Sequence, residues 1–226
     1  DQGRKSIHKL ESILTREIIP ESPYDEIYNR DKSYSFAAAM WELSQCTGRP
    51  LVPFLPERLG RLVDVGGGSG AMASMIIAAE KATSVTVFDL PDVEVEFRKH
   101  SDNVAEFHHI KFESGNFFKD PLPFGDNYLL SNVLSNWDDS SVAAILGKIR
   151  ERLSAAGIGQ VYILERLFGA KVSEYSTAVM HLNMMLHTQG GHRDIDEYKA
   201  LLTQAGFSKV ELIETGNDRQ IIVGSL

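Results

Sequence analysis

The chain has 226 residues, of which 43% are hydrophobic and 24% are charged, which is the ordinary balance of a single soluble globular domain. A formal net charge of −8, with no run of Lys and Arg, argues against binding to the phosphate backbone of nucleic acids. Cys46 is the only cysteine, which excludes an internal disulfide and a cysteine-based zinc site, and no apolar run approaches the roughly 20 residues that cross a bilayer. We therefore expect a cytoplasmic protein with no nucleic-acid partner and no membrane partner.

The first 18 residues predict a charged amphipathic helix, because their apolar side chains recur at helical spacing. The residues on its apolar face are Ile7, Leu10, Ile13 and Leu14. The chain starts at aspartate rather than methionine, so we expect residues 1–45 to be a helical remnant of, or linker from, another domain. Residues 46–226 are then the main domain.

Short apolar runs alternate with helical patterns along that domain, which is typical of βαβ units and a mostly parallel sheet. Strands are predicted at 61–65, 84–89, 109–114, 127–133, 160–166, 209–215 and 219–225. Helices are predicted at 69–80, 91–99, 139–157, 173–187 and 194–207. The last two strands are joined by the turn residues GND and should pair antiparallel. The pattern predicts a doubly wound sheet that ends in a hairpin, with ligands bound at the carboxyl ends of its strands.

A glycine-rich loop, VDVGGGSGAMA, joins the first strand to its helix and lets backbone N–H groups approach a ligand closely. Its spacing, Gly66-x-Gly68-x-x-Ala71, also satisfies the dinucleotide fingerprint, so the loop alone does not name a cofactor, and a turn without a ligand is the alternative. Asp89 ends the second strand about 20 residues later, where a carboxylate can accept both ribose hydroxyls. Its alternative role is to cap the following helix.

Asp64, two positions before the first glycine, separates the possible cofactors. A carboxylate there suits a ligand that carries an amino group and a sulfonium, whereas it would repel a pyrophosphate. The cofactor that fits is S-adenosylmethionine, with S-adenosylhomocysteine as its product.

Five segments together resemble the S-adenosylmethionine-dependent O-methyltransferases of the acetylserotonin and plant caffeate group. They are LVDVGGGSG, VTVFDLPDV, SGNFFKDPLPFGDNYLLSNVLSNWDD, ILERL and HLNMMLHTQGGHRDIDEYKALLTQAGF. The resemblance runs from about Tyr24 to the last residue and covers the catalytic domain. It implies a Rossmann-like class I methyltransferase fold: a mostly parallel seven-stranded sheet ending in an antiparallel hairpin, with helices on both faces.

The resemblance also assigns the cofactor-binding residues. They are Asp64, Gly66, Gly68, Asp89, Leu90, Asn116, Phe117 and Ser131. Leu90 would lie against the adenine and Phe117 would cover it, although core packing is the alternative for one of the two phenylalanines in GNFF. Relatives carry aspartate at position 116 to accept from the adenine amino group, and the amide oxygen of Asn116 can accept the same bond.

The catalytic segment of the family reads His-Asp-Trp, whereas this chain has Ser135 and Asn136 ahead of the tryptophan. The family histidine removes the acceptor proton and is held by two carboxylates. Glu165 corresponds to one of them, and His192 stands where relatives often have the other. A serine hydroxyl is no base near neutral pH, and the loss of a general base typically costs about 10² to 10⁴-fold in rate.

Three interpretations of this altered site stay open. An acidic hydroxyl or a carboxyl of a small molecule could lose its proton unaided and be methylated. Alternatively, His192, His181 or His187 could serve as a replacement base. In the third, the domain binds its cofactor without methylating, either as a silent domain or as an enzyme of the cyclase or hydroxylase type. We expect no metal, because these histidines lack a partnering carboxylate pattern.

The helix at 173–187 should contribute to the acceptor pocket. By resemblance, Asn183 and Met184 face the pocket, while the other methionines belong to the core. Relatives also carry an N-terminal helical domain that dimerises and closes this pocket. We therefore expect the chain to be part of a larger protein, or of a homodimer formed through an N-terminal region.

Overall fold

The structure is a computed structural model that describes residues 11–13, 15, 30–101, 105–170 and 174–226, with the backbone alone for residues 30–38. Its centre is one seven-stranded sheet. The strands are β1 (Arg61–Val65), β2 (Ser84–Asp89), β3 (Ile110–Ser114), β4 (Asn127–Ser131), β5 (Gln160–Glu165), β6 (Lys209–Ile213) and β7 (Gln220–Ser225).

The strand order is β3-β2-β1-β4-β5-β7-β6, and only β7 runs antiparallel to its neighbours. This confirms the predicted doubly wound, mostly parallel, Rossmann-like sheet with a closing hairpin. The chain turns back between β1 and β4, so the two halves of the sheet diverge there and leave a crevice at the carboxyl ends of the strands.

Six α-helices of eight residues or more accompany the sheet within the described residues. They are α1 (Arg30–Gly48), α2 (Ala71–Ala78), α3 (Glu94–Ser101), α4 (Asp139–Ala156), α5 (Glu174–His187) and α6 (Ile195–Gln204). The predicted helix after Pro91 begins as a 3-10 turn, Pro91–Val93, before α3. Another 3-10 turn, Leu134–Asn136, follows β4.

Two apolar layers cover the sheet, one on each face. On one face, Ile145 and Leu146 of α4 and Leu202 of α6 pack against the strands. On the other, Leu51 and Ile76 pack against the alternate strand residues. Because both faces are buried, the central strands are continuous apolar runs, and this is why their positions could be predicted closely.

Capping residues define the ends of α4 and α6. Asp138 accepts a hydrogen bond from the Ser141 backbone N–H at 2.8 Å and caps α4, and Gly157 ends that helix in the left-handed conformation. Asp194 begins α6 with a reciprocal capping box to Glu197.

The N-terminal predictions are only partly covered. Of the predicted helix over the first 18 residues, positions 11–13 are helical and Ile13 is buried, whereas Ile7, Leu10 and Leu14 lie outside the described residues. Helix α1 runs across the predicted boundary between residues 45 and 46, and the boundary itself stays a prediction. Within the described part of the chain, no helix has the length and apolar character to cross a membrane.

Candidate active site

A cavity of about 1030 Å³ opens at the carboxyl edge of the sheet, over the place where the strand order reverses. Its walls come from the turns after β1, β2, β3 and β4, from α5, and from Met40 and Leu43 of α1. It includes most of the predicted site residues: Asp64, Gly66, Gly68, Asp89, Leu90, Asn116, Phe117, Ser131, Ser135, Asn136 and His192. Parallel strands that end at one edge bring these residues together from distant parts of the chain.

The glycine loop shapes the floor of the cavity. Gly66 and Gly68 have φ angles of +71° and +59°, a conformation that favours glycine. A Cβ at Gly66 would lie 2.9 Å from Val133, whereas one at Gly68 would have no atom within 4 Å and would point into open space. The backbone at Gly68 is therefore bare toward the cavity, as a close ligand contact requires.

Asp64 is a buried carboxylate with neither oxygen hydrogen-bonded to a described residue. Burial, and then the charge of Asp89, raise its pKa to about 7. A buried polar group without a partner is costly, and such groups in native proteins usually have a role. Here the carboxylate borders the cavity, so a cationic donor in the cavity would stabilise it.

Asp89, at the end of β2, is held by two backbone donors. Its Oδ2 accepts from Gly68 N at 2.8 Å and its Oδ1 from Leu90 N at 2.7 Å. Burial raises its pKa, and these two bonds oppose the rise. Each oxygen keeps a further lone pair, so the carboxylate is oriented and can still accept two hydroxyls. Its role in binding ribose stays a prediction.

Asn116 and Phe117 form the opposite wall. The Asn116 Oδ1 accepts from the Phe118 N–H at 2.8 Å, which folds the GNFF segment into a turn. Only its second lone pair is left for the predicted bond to an adenine amino group. Phe117 packs edge-on against Phe118, with ring centroids 4.7 Å apart, and against Trp137 at 5.9 Å. Both phenylalanines border the cavity and also pack against the core. Neither of them is therefore a core residue alone, which was the alternative for one of the two.

Ser135 and Glu165 meet at the 3-10 turn that follows β4. The 3-10 turn after β4 directs the Ser135 backbone N–H to Glu165 Oε1 at 3.2 Å, and both residues are buried. Burial raises the pKa of Glu165, while Ser135, Arg219 and Arg193 oppose that rise. The other oxygen, Oε2, has no hydrogen-bond partner among the described residues. The predicted pairing of these two positions is thus present in space.

Asn136 is turned back on its own loop. Its Nδ2 donates to the carbonyl oxygens of Asn132 at 3.1 Å and Val133 at 3.2 Å. A carboxylate at this position could not donate either bond and would face two acceptors. The amide therefore locks the turn that carries Ser135.

His192 borders the cavity with both ring nitrogens unpartnered among the described residues. Burial lowers its pKa to about 4, and the charges of Arg166, Arg219 and Arg193 contribute to the shift. The ring is therefore neutral near pH 7. His181 supports it from behind, because its Nδ1 accepts from the His192 backbone N–H at 3.0 Å. Of the other two candidate histidines, His187 borders the cavity and His181 does not.

Helix α5 contributes Met180, Asn183 and Met184 to the cavity. The expectation for Asn183 and Met184 agrees with this placement. The expectation that the remaining methionines are core is wrong for Met180, which is 40% exposed. The helix presents most of its side chains to the cavity or to solvent, so methionine at helical spacing here marks a pocket wall.

No local sequence motif marks two residues that shape the site, Asn132 and Arg219. Asn132 follows β4 with a φ of +55°, which is unusual for a residue other than glycine. Its Oδ1 accepts from Arg219 Nε at 2.7 Å. Arg219 directly precedes β7. In the sheet, β7 pairs with β5 as well as with the strand that comes before it in the chain. No local pattern could reveal this long-range placement.

No group of three or more His, Cys, Asp and Glu side chains is placed to hold a metal ion within the described ranges. The donor groups around the cavity are instead carboxylates, amides and guanidiniums that belong to separate clusters.

Comparison with known proteins adds a family to this geometry. A family model described as an O-methyltransferase domain matches residues 19–208. Acetylserotonin O-methyltransferase of Rattus norvegicus is 32% identical over 201 residues, which cover 88% of this chain and 46% of that protein. The chain thus spans about half the length of the curated relatives it matches.

Solved structures agree with the fold. The crystal structure of human N-acetylserotonin methyltransferase in complex with SAM superposes with a TM-score of 0.81 at 28% identity, over 94% of this chain and 61% of that one. The O-methyltransferase NcsB1 from neocarzinostatin biosynthesis, in complex with SAM and 2-hydroxy-5-methyl naphthoic acid, gives 0.82 at 27% identity over 99% and 69% of the two chains.

Proposed function

The chain belongs to the O-methyltransferase family, and we propose that it methylates a hydroxyl or carboxyl oxygen of a small molecule with S-adenosylmethionine as the methyl donor. The cofactor supplies a methyl group already activated by its sulfonium. The observation that carries the proposal is the bare backbone at Gly68, flanked by the unpartnered carboxylate of Asp64 and the oriented carboxylate of Asp89.

The residues of the cavity fit this cofactor better than a dinucleotide. Asp64 offers a buried anion to an ammonium group, and Asp89 offers free lone pairs to ribose hydroxyls. Leu90 and Phe117 provide an apolar wall for a purine ring. The charge of Asp89 already adds to the rise in the pKa of Asp64, so a pyrophosphate between the two carboxylates would be repelled.

The relatives support the class of reaction. Human N-acetylserotonin methyltransferase is described in complex with SAM, and NcsB1 with SAM and a hydroxylated naphthoic acid. The cavity of this chain is lined by aromatic and methionine side chains, and its size suits an aromatic acceptor beside the cofactor. We propose an acceptor of this kind.

The fate of the acceptor proton separates the three interpretations of the altered site. Ser135 cannot take the proton near neutral pH. His192 has a free lone pair, but a pKa of about 4 makes it a weak base, so it accepts a hydrogen bond without retaining a proton. This favours an acceptor acidic enough to ionise without a base, such as a phenol or a carboxylic acid. Positioning then supplies much of the acceleration.

Turnover over a matched panel tests the proposal. The chain is incubated with S-adenosylmethionine and phenols, carboxylic acids or alcohols of similar size, and methylated product is measured by mass spectrometry together with S-adenosylhomocysteine. We expect product from the acidic members only. Calorimetry should show S-adenosylhomocysteine binding that weakens in Asp89→Asn and is retained in Asp196→Asn, a control on the exposed first turn of α6. Absence of binding by the unaltered chain would contradict the proposal.

The second candidate is a silent cofactor-binding domain, and Ser135 in place of a base is the observation that favours it. Binding of S-adenosylhomocysteine without turnover on any panel member would support this candidate. A converted product without consumption of the cofactor would instead indicate an enzyme of the cyclase or hydroxylase type.

We include in the proposal that the protein is cytoplasmic and that it associates through an N-terminal region. An exposed free thiol at Cys46 is compatible with a reducing compartment such as the cytoplasm. Association through an N-terminal region, in a larger chain or a homodimer, stays a prediction.

A further inference from the structure

Three guanidinium groups are buried around Glu165 at the carboxyl edge of the sheet. They belong to Arg166, directly after β5, to Arg193, directly before the cap of α6, and to Arg219, directly before β7. Arginine is rarely buried unless it is paired, so the partners of each group indicate what it does.

Two of the three have their partners within the protein and lie away from the cavity. Arg193 donates to Asp139 Oδ1 from two nitrogens and to the carbonyl oxygens of Leu134 at 3.1 Å and Trp137 at 2.8 Å, which ties α4 and the turn after β4 to the start of α6. Arg166 donates to Ser176 Oγ at 2.8 Å and forms an ion pair with Asp218. Neither of them lines the cavity.

Arg219 differs from both, because it lines the cavity and is incompletely paired. Its Nε donates to Asn132 Oδ1 at 2.7 Å, and its Nη1 reaches the two oxygens of Asp218 only at 3.3 Å. Asp218 is shared with Arg166 and is partly exposed to solvent. The Nη2 of Arg219 donates no hydrogen bond to a described residue. It is also not one of the side-chain atoms that are both unpartnered and shielded from solvent. One donor edge of the guanidinium is therefore available to a ligand.

The carboxylates that pair with these guanidiniums lie mainly on the solvent side of the cluster. Glu165 is the one buried carboxylate of the cluster, whereas Asp218 and Asp139 lie on the solvent side, with side chains 34% and 77% exposed. His181, His192 and Tyr198 are the other titratable groups nearby, and Arg166, Arg219 and Arg193 all lower the pKa of His192. An uncharged ring at His192 and amides at Asn132 and Asn136 complete the wall without adding negative charge.

We propose that Arg219 binds the acceptor as an anion, through a phenolate or carboxylate oxygen, and so removes the need for the absent histidine base. This rests on the proposed function. The acceptor loses its proton to water when it binds. Its oxygen then forms the bond to the methyl carbon as the carbon–sulfur bond breaks, and the electron pair of that bond returns to sulfur. Asn132 links this subsite to the 3-10 turn Leu134–Asn136, which we call the catalytic turn, since it contacts both Arg219 and Asn136.

Binding of a charged and an uncharged probe of equal shape tests the inference without turnover. The probes are 2-naphthoate and 2-naphthamide, titrated by calorimetry into the chain with S-adenosylhomocysteine present. We expect naphthoate to bind about tenfold more tightly or better, as for a hydrogen bond to a charged group. Arg219→Gln should abolish the preference, while Arg219→Lys should retain part of it, because the charge remains.

Arg61→Gln is the matched control, since it also removes a guanidinium paired with an aspartate, Asp126, but at the amino edge of the sheet. It should keep the full preference. A second readout needs no variant: 4-nitrophenol, which is yellow only when ionised, should turn yellow in the cavity at a pH at which the free compound is colourless.

The outcomes separate the inference from the function on which it rests. If the unaltered chain fails to bind S-adenosylhomocysteine, the proposed function is wrong. If it binds S-adenosylhomocysteine but shows no preference for naphthoate, or if Arg219→Gln keeps that preference, the inference alone is wrong. Thermal unfolding of each variant confirms that it is folded, and a colourless bound nitrophenol also contradicts the inference.

Discussion

At the scale of single residues, the buried and unpartnered carboxylate of Asp64 makes the stability of the fold depend on pH. Its pKa rises from 3.8 to about 7 in the folded chain, so between these values the folded state holds a proton that the unfolded state has released. The contribution of Asp64 to the free energy of unfolding is therefore fully present below about pH 4 and is lost as the pH rises through about 7. A cationic ligand beside the carboxylate would reverse this loss.

We expect Asp64→Asn to remove the pH dependence that Asp64 causes. Asparagine stays neutral, so the variant should lose less stability than the unaltered chain between about pH 5 and about pH 8, by no more than about 4 kcal/mol. Urea unfolding at both pH values measures the difference, and calorimetry should show weaker binding of S-adenosylhomocysteine. An unchanged difference between the two pH values would contradict this assignment of the pKa shift.

Ser135 offers the second prediction at this scale. A histidine at 135 would have the unpartnered Glu165 Oε2 as an acceptor for its ring N–H, as a general base requires. We expect Ser135→His to raise turnover of weakly acidic phenols by about 10²-fold, with little gain for carboxylic acids that ionise unaided. Product formation by mass spectrometry measures this, with Ser140→His in the exposed first turn of α4 as the control. Equal gains on both acceptor classes would contradict it.

Adding Asn136→Asp to that variant should not help. The aspartate would lose the two hydrogen bonds that Asn136 donates to the carbonyl oxygens of Asn132 and Val133. Since each lost buried bond costs about 1–3 kcal/mol, the double variant should unfold at a lower temperature than Ser135→His alone. Asn136 therefore stabilises the turn that carries Ser135.

At the scale of elements, the sequence predicted the strands and most helix ends because both depend on local signals. Continuous apolar runs mark strands that are buried on both faces, and Asp138 and Gly157 mark the ends of α4. The spacing of α5 could not distinguish a pocket wall from a core, because both demand apolar side chains on one helical face. Met180 was misplaced for this reason.

The loop between α5 and α6 carries the prediction for this scale. A Cβ on Gly190 would lie 2.3 Å from the Ser135 carbonyl oxygen and 2.5 Å from Trp137 N, so this loop packs backbone against backbone on the catalytic turn. We expect Gly190→Ala to displace that turn, lower the unfolding temperature and weaken acceptor binding. Gly147→Ala is the matched control, because its Cβ would meet nothing within 4 Å and alanine favours the interior of α4 by about 0.5–1 kcal/mol.

A Gly190→Ala variant as stable as the unaltered chain would mean that the loop yields without disturbing the turn. Thermal unfolding of both glycine variants, with naphthoate titrations, distinguishes the two cases. Gly147→Ala should change stability alone.

At the scale of the whole molecule, the fold and half of the site were predictable from the sequence. Asp64, Asp89, Ser135 and Glu165 could be placed together because each lies at or near the carboxyl end of a predicted parallel strand. Arg219 could not, because its position depends on where β7 enters the sheet. Strand neighbours in an antiparallel ending are decided by packing between distant segments, which leaves no periodic trace in the sequence.

The insertion of β7 between β5 and β6 also sets an order of events during synthesis. All other strands precede β7 in the chain, and β6 is paired with β7 alone. The five strands from β1 to β5 can align as soon as they leave the ribosome, and they already carry the glycine loop, Asp64 and Asp89. Arg219 reaches its place only when β7 adds to β5. In a chain that folds as it is synthesised, the proposed cofactor subsite would therefore be in place before Arg219, the proposed acceptor ligand.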